Sequence, residues 1–184
     1  YVERLQALLS PEAEHHAEGQ HAAETLYKTG DLQPVCDFIE QRYFKIFSNR
    51  DYLQANELTV KTAFLTLLFN DLLYIMDSET RAGRRYADLT MIVRPDARQY
   101  QILDLLLEFK FVKLGDAGLS GEQARAMSRA ELAALPAVER KLADAQAQTP
   151  DYQRELNQRY KTGLQLRTFA IVAIGFERLV WEEL

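Results

Sequence analysis

The spacing of apolar residues changes along the chain, and each change marks a new element. Residues 1 to 30 are polar and alanine-rich, with apolar positions too sparse for a deep core. They predict one or two peripheral helices ending at the Thr29-Gly30-Asp31 break. From Pro34 to Phe47, the stripe Val35, Phe38, Ile39, Phe44 and Phe47 predicts a helix that docks on a larger body. Asn56 suits the N-cap, with Glu57 in the first turn, of a helix running to about Leu73. That helix is apolar on most sides and is therefore expected to be central.

The period then falls to two. Tyr74 to Arg81 and Arg85 to Arg94 predict two strands joined at Ala82-Gly83, and Pro95-Asp96 terminates the second. Gln101 to Lys113 is too evenly apolar for a surface strand and is expected inside the sheet. Ser120-x-x-Gln123 and Ser128-x-x-Glu131 match the capping-box pattern, predicting one or two short helices between Gly121 and Leu135. Ala137 to Gln148 and Asp151 to Tyr160 read as helical stretches separated by a break at Thr149-Pro150. Thr168 to Phe176 is the clearest buried strand, with Arg178 to Glu183 as an edge strand beside it. The order helix, three strands, helix, one or two strands defines an α/β fold with no internal repeat.

With 184 residues, 47% hydrophobic and 27% charged, the chain falls in the range of one globular domain plus a small appendage. Its single cysteine, Cys36, excludes an intrachain disulfide and fits a reducing compartment, and no Cys/His pairs stand at zinc spacing. The apolar run within Leu58 to Met76 is interrupted by Asn70, Asp71 and threonines and falls short of a membrane span. No secretory signal opens the chain, so a cytoplasmic location is expected, and the start at Tyr1 suggests a piece of a longer protein. The formal charge of −5 argues against a broadly basic nucleic-acid-binding surface. Arg81, Arg84, Arg85, Arg94 and Arg98 are nevertheless gathered in one segment, and local charge governs such binding more than the sum.

Candidate chemistry follows from strand alternation. In the second strand Leu89, Met91 and Val93 share one face and Asp88, Thr90 and Ile92 the other; in the third, Leu105, Leu107, Phe109 and Phe111 oppose Asp104, Leu106, Glu108 and Lys110. If the two strands pair, Asp88 and the Glu108-x-Lys110 pair converge, giving two carboxylates and an ammonium in one patch. Mg²⁺ prefers oxygen ligands and is commonly held by one or two carboxylates together with substrate phosphate oxygens, with a backbone carbonyl of Phe109 in reach here. Lys110 is suited to positioning an attacking water or donating to the developing oxyanion. The bland alternative is a solvated Glu108–Lys110 pair beside an ordinary strand acid. Yet the two charges interrupt the strongly apolar LLLEFKFV, where a buried charge needs a compensating partner, and a metal ion is such a partner.

The runs GRRYADLTMIVRP and ILDLLLEFKFVK resemble the hairpin of the PD-(D/E)XK nuclease superfamily, whose core order is αβββαβ. More narrowly, LYKTGDLQPVCDFIEQ, NELTVKTAFLTLL and Ala143-x-x-Gln146 with Tyr152 are similar to the nuclease-like domain at the C-terminal end of prokaryotic AAA-ATPase-like proteins. The resemblance covers roughly Leu26 to Leu184. It implies a restriction-endonuclease-like core in residues 56–184, a mixed central sheet flanked by helices, preceded by a helical segment in residues 1–55. It also implies a Mg²⁺- or Mn²⁺-dependent nuclease acting on nucleic acid, with DNA favoured, and an ATPase domain in the same full-length protein as a partner. Asp88, Glu108, Lys110 and Gln146 match the catalytic positions, and Asp88, Glu108 and Glu57 the metal-binding ones. Read without the resemblance, Glu57 is a helix-start charge favoured by the dipole and Gln146 part of a solvated helix face. The alternative function is an inactive module of the same fold, docking to or regulating an AAA-type ATPase.

Two departures stand out. Arg85-Tyr86-Ala87 separates Gly83-Arg84 from Asp88, where the family usually keeps Gly-Arg close to the aspartate. Gly115 to Pro136 reads as an insertion, whether a lid, a partner surface or decoration. No GxxxxGK[ST] phosphate loop occurs, so ATP binding belongs outside this chain. His15, His16 and His21 among Glu12, Glu14, Glu18 and Glu24 suit either a chelating helix or an exposed polar one. Tyr43, Phe44, Phe47 and Tyr52 suit either base stacking or core packing.

Overall fold

A computed structural model describes residues 13–46, 56–82, 85–160 and 163–184. The first helix, α1, spans Ala13–Thr29 and ends where Gly30 turns left-handed at φ +76°, its N–H returning to the Leu26 carbonyl. It is less peripheral than its sparse apolar pattern suggests. Ala22, Ala23, Leu26 and Tyr27 are all buried in the main core, and the Tyr27 hydroxyl donates to the Leu68 carbonyl. Small side chains account for this: they contribute little to an apolar pattern but let a helix approach closely.

Pro34 opens α2 (Gln33–Phe38), which runs on as a π-turn at Ile39–Tyr43 and a 3-10 turn at Phe44–Ile46. Val35, Phe38, Ile39 and Phe44 are buried as their stripe predicts, and Tyr43 and Phe44 are core residues; Phe47 and Tyr52 lie outside the described residues. Helix α3 (Glu57–Leu68) is capped by Asn56, whose side chain accepts the Thr59 N–H. It stops short of Leu73 because Asn70 closes a turn, accepting the Leu73 N–H on its side chain and the Tyr74 N–H on its carbonyl.

Strands β1 (Tyr74–Ala82) and β2 (Arg85–Val93) form a long antiparallel hairpin whose connection, with Gly83 and Arg84, falls outside the described residues. After a 3-10 turn at Pro95–Tyr100 comes β3 (Asp104–Val112), buried along nearly its whole length. Helices α4 (Gly121–Ala126) and α5 (Arg129–Ala133) both carry the complete capping boxes that the serine spacing predicts. Helix α6 (Pro136–Tyr160) leads to β4 (Leu166–Ile174), which pairs parallel to β3, and β5 (Arg178–Glu183) pairs antiparallel to β4. The sheet is mixed and five-stranded, with the strands in sequence order.

The expected break at Pro150 does not occur: one helix runs through it. A proline withholds an N–H from the carbonyl four residues earlier. That carbonyl belongs to Gln146, on the exposed side of α6, where solvent meets it, while the neighbouring Thr149 hydroxyl bonds back to Ala145. The apolar face of α6 continues on both sides of Pro150, so burial carries the helix across.

Helices α1, α2 and α3 cover one sheet face, packing on Leu89, Met91, Leu105, Leu107, Phe109, Phe169 and Ile171. One apolar cluster therefore joins residues on both sides of the expected division between 55 and 56, a boundary that meets an undescribed stretch. Helix α6 covers the other face in two separate apolar patches. Tyr152 and Leu156 pack on Ile92 and Leu106, whereas Val138, Leu142 and Ala145 pack on Val112, Ala170, Val172 and Ile174. Between these patches, β3 carries Glu108 and Lys110. The segment from Gly115 to Pro136 is bound down rather than left to swing: Arg129 donates to Asp37, Glu40 and the Leu179 carbonyl, and Arg178 to the carbonyls of Ala124, Arg125 and Met127. Among the described residues no helix is long and apolar enough to cross a membrane.

Candidate active site

β2 and β3 pair in register at Met91–Leu105, Thr90–Leu106 and Leu89–Leu107 among the described residues. One residue further, the ladder gives way to a side chain. Asp88 Oδ2 accepts the Phe109 N–H at 2.8 Å, taking the place a backbone carbonyl holds within a ladder. The Arg85 end of β2 stays with β1, so the strands part where Asp88, Glu108 and Lys110 stand. Alternation puts all three on the α6 face of the sheet, as the sequence pattern predicts.

Glu108 is 2% exposed and its Oε1 accepts from Lys110 Nζ at 2.8 Å. Its Oε2 is buried with no partner at hydrogen-bond geometry, although the Asp88 N–H lies close enough to act on the carboxylate. A buried carboxylate oxygen with an unused lone pair is costly in a folded protein, so this atom is the unusual feature of the site. Lys110 is also nearly buried, while Asp88 is half-buried.

The electrostatics follow the geometry. Burial pushes the Asp88 carboxyl above the usual range; the Phe109 N–H and the Lys110 and Lys61 ammoniums pull against it, and Glu57 adds to the rise. Glu108 is raised by burial and by Asp88, against the hydrogen bond and charge of Lys110. For Lys110, burial pulls downward, but Glu108, Glu57 and Asp88 together outweigh it and the net displacement is upward. Lys110 thus remains an ammonium, paired with Glu108; among the described residues no ion pair joins it to Asp88.

Glu57, in the first turn of α3, is near enough to act on both Asp88 and Lys110 through its charge. Among the described residues there is no group of three or more His, Cys, Asp or Glu side chains that could hold a metal, a statement that covers Glu57 with the two strand acids as well as His15, His16 and His21. Gln146 is exposed on α6 and is not brought to the three. The arginine cluster is partly committed: Arg98 forms a two-pronged bond with the buried Asp104, and Arg94 leans on Asp96. Arg84 lies outside the described residues.

Sequence reasoning passed over Lys61. It is 6% exposed on α3, one helical turn after Glu57, and its charge reaches Asp88. The available signal was a lysine between Val60 and Phe64 in an otherwise apolar helix. The donors fit a hard divalent cation: two carboxylates, one with an orphaned oxygen, at a place where the strands open. Mg²⁺ does not require a third protein ligand, because it retains waters and takes up substrate oxygens. Compared with family models, with curated proteins and with solved structures, the chain matches none of them.

Proposed function

We propose that this chain is a Mg²⁺- or Mn²⁺-dependent nuclease domain of the PD-(D/E)XK type, hydrolysing phosphodiester bonds of nucleic acid, with DNA the favoured substrate. The observation that carries the reading is the buried, unpartnered Glu108 Oε2 beside Asp88 where β2 and β3 part. Charge supports it too. Asp88 feels the charges of Glu57, Lys61 and Lys110, Glu108 those of Asp88 and Lys110, and Lys110 those of all three acids. The order α3, β1, β2, β3, α6, β4 agrees with the αβββαβ core that the resemblance implies.

Asp88 and Glu108 would hold the cation. When bound, such an ion neutralises phosphate charge and makes its water more acidic. The chain's own residues supply the rest. Lys110, held as an ammonium, orients the attacking water and donates to the oxygen on which charge accumulates. The water oxygen gives up a proton to solvent and forms the new bond to phosphorus, the bond from phosphorus to the leaving sugar oxygen breaks, and that oxygen takes a proton from another water. The buried Leu106 and Ala170, next to Glu108 on the same sheet face, lower the local dielectric and strengthen its charge interactions.

Calorimetry with Mn²⁺ and cleavage of single- and double-stranded DNA test the reading on wild type, Asp88→Ala, Glu108→Ala and Lys110→Ala. Binding lost with either acid but kept with the lysine change, and cleavage lost with all three, is the expected outcome. A wild type that takes up no Mn²⁺ sinks it. The second reading, an inactive module attached to an AAA-type ATPase, is favoured by one observation, the closed Glu108–Lys110 pair.

A further inference from the structure

We propose that the cavity between α1, α2 and the end of α3 binds a small organic cation, an ammonium carried on an aromatic body. The cavity holds about 540 Å³, within the range of sites that enclose a whole small molecule. It begins at the C-terminal end of α3, about 14 Å along the helix from Glu57, and is independent of the metal chemistry proposed above.

Four aromatic rings line it: Tyr27 from α1, Phe38 and Tyr43 from α2 and the π-turn that extends it, and Phe69 from the end of α3. The π-turn at Ile39–Tyr43 puts two of them side by side. In an α-helix, residues five apart point about 140° away from one another. Here the Phe44 N–H reaches the Ile39 carbonyl five residues back, and Phe38 and Tyr43 meet edge to face with ring centroids 5.5 Å apart. Such turns are rare and concentrate at functional sites. The surrounding walls are fixed by the fold. The Tyr27 hydroxyl ties α1 to the Leu68 carbonyl at 2.8 Å, and Asn70 closes the turn behind Phe69. Gly19 brings α1 close, since a Cβ there would lie 3.0 Å from both Leu67 and Phe38.

The charge of the lining selects the ligand. Glu24 and Asp71 stand at the mouth with His15 and His16, and no lysine or arginine lines the cavity. Asp71 has no ion pair among the described residues, and Glu24 pairs at 3.1 Å with an exposed Lys28, a contact of the kind that contributes little. An ammonium is drawn both to carboxylates and to the negative face of an aromatic ring, so the two parts of the lining favour the same sign. An anionic ligand would meet two like charges with no lysine or arginine to offset them. Leu72, 81% exposed, and Phe69 leave apolar surface in water at the mouth, which an aromatic body would cover.

The test uses the full chain and three probes that share one indole: tryptamine, an ammonium at neutral pH; tryptophol, which is neutral; and indolepropionate, an anion. Affinity is measured by calorimetry, and position by the amide NMR shifts of Gly19, Leu67 and Leu72. Tryptamine should bind about tenfold more tightly than tryptophol, with indolepropionate weaker still, and the margin should shrink in high salt. Asp71→Asn combined with Glu24→Gln, both at exposed positions, should bring tryptamine down to the affinity of tryptophol and leave tryptophol unchanged. Equal affinity for the three probes, no saturable tryptamine binding, or shifts confined to other amides overturns the proposal. Binding of a Lys- and Leu-rich amphipathic peptide in place of tryptamine also overturns it, and makes the cavity a protein-docking groove. If the double variant does not fold, the probe series on wild type decides alone. Failure of Mn²⁺ binding and cleavage in wild type sinks the nuclease reading and leaves this site standing.

Discussion

Asp104 and Glu108 are acids on the same face of the same strand, both almost wholly removed from water, and they are treated in opposite ways. Asp104 is surrounded by donors: the Val93 N–H and Gln165 N–H at 2.8 Å each, and both Nη atoms of Arg98 at 2.7 and 2.9 Å. It fastens the end of β2, the start of β3 and the approach to β4. Glu108, two pleat repeats further along, has a single partner on one oxygen and none at hydrogen-bond geometry on the other. An acid with every lone pair engaged is structure, whereas a buried acid with a vacant one retains a cost that stability alone does not explain.

The comparison is broken most severely at Asp104. Replacing it by Ala strips the Arg98 fork and two backbone N–H groups of their acceptor, and a loss of about 3 kcal/mol in urea-induced unfolding is expected. The paired change Glu108→Gln with Lys110→Met should behave differently. It removes two buried charges together, so stability should stay within about 1 kcal/mol of wild type or rise above it, while Mn²⁺ binding and cleavage vanish. A loss as large as that at Asp104 would place Glu108 among the structural acids.

A smaller effect concerns pH. Asp88 and Glu108 are both raised in the folded state, so folding binds their protons more tightly than the unfolded chain does. Their contribution to stability is full below the ordinary carboxylate value of about 4 and is lost as pH rises through the raised folded values. Unfolding free energy measured against pH should therefore carry a downward component above that point, and Asp88→Asn or Glu108→Gln should flatten it. Mn²⁺ affinity should run the other way, strengthening as the same groups lose their protons. The smallest expected effect belongs to Gln146, which is exposed on α6. Gln146→Ala should change stability by less than about 0.5 kcal/mol and leave Mn²⁺ binding unaltered by calorimetry.

Much of this arrangement was legible beforehand. Strand alternation assigned Asp88, Glu108 and Lys110 to one face, and the structure keeps that assignment to the residue. Both capping boxes, the Asn56 cap and the helix end at Thr29-Gly30 were equally readable. Lys61 escaped because its charge acts on Asp88, on another element, and nothing in the run around it reveals that. Arg98 was misplaced for the same reason, since a basic residue in a loop looks available until Asp104 is found beneath it.

What the sequence determined by itself is what neighbours along the chain enforce: periods of 2.0 and 3.6, capping geometry, and the burial of apolar faces. What only the tertiary structure decided depends on groups far apart in sequence. Small alanines draw α1 into the core, a continuous apolar face carries α6 through Pro150, and β2 leaves β3 at Asp88. Whether a buried acid is closed like Asp104 or open like Glu108 is settled by donors from other elements. Those donors include Gln165 for Asp104, and no local pattern encodes such a meeting.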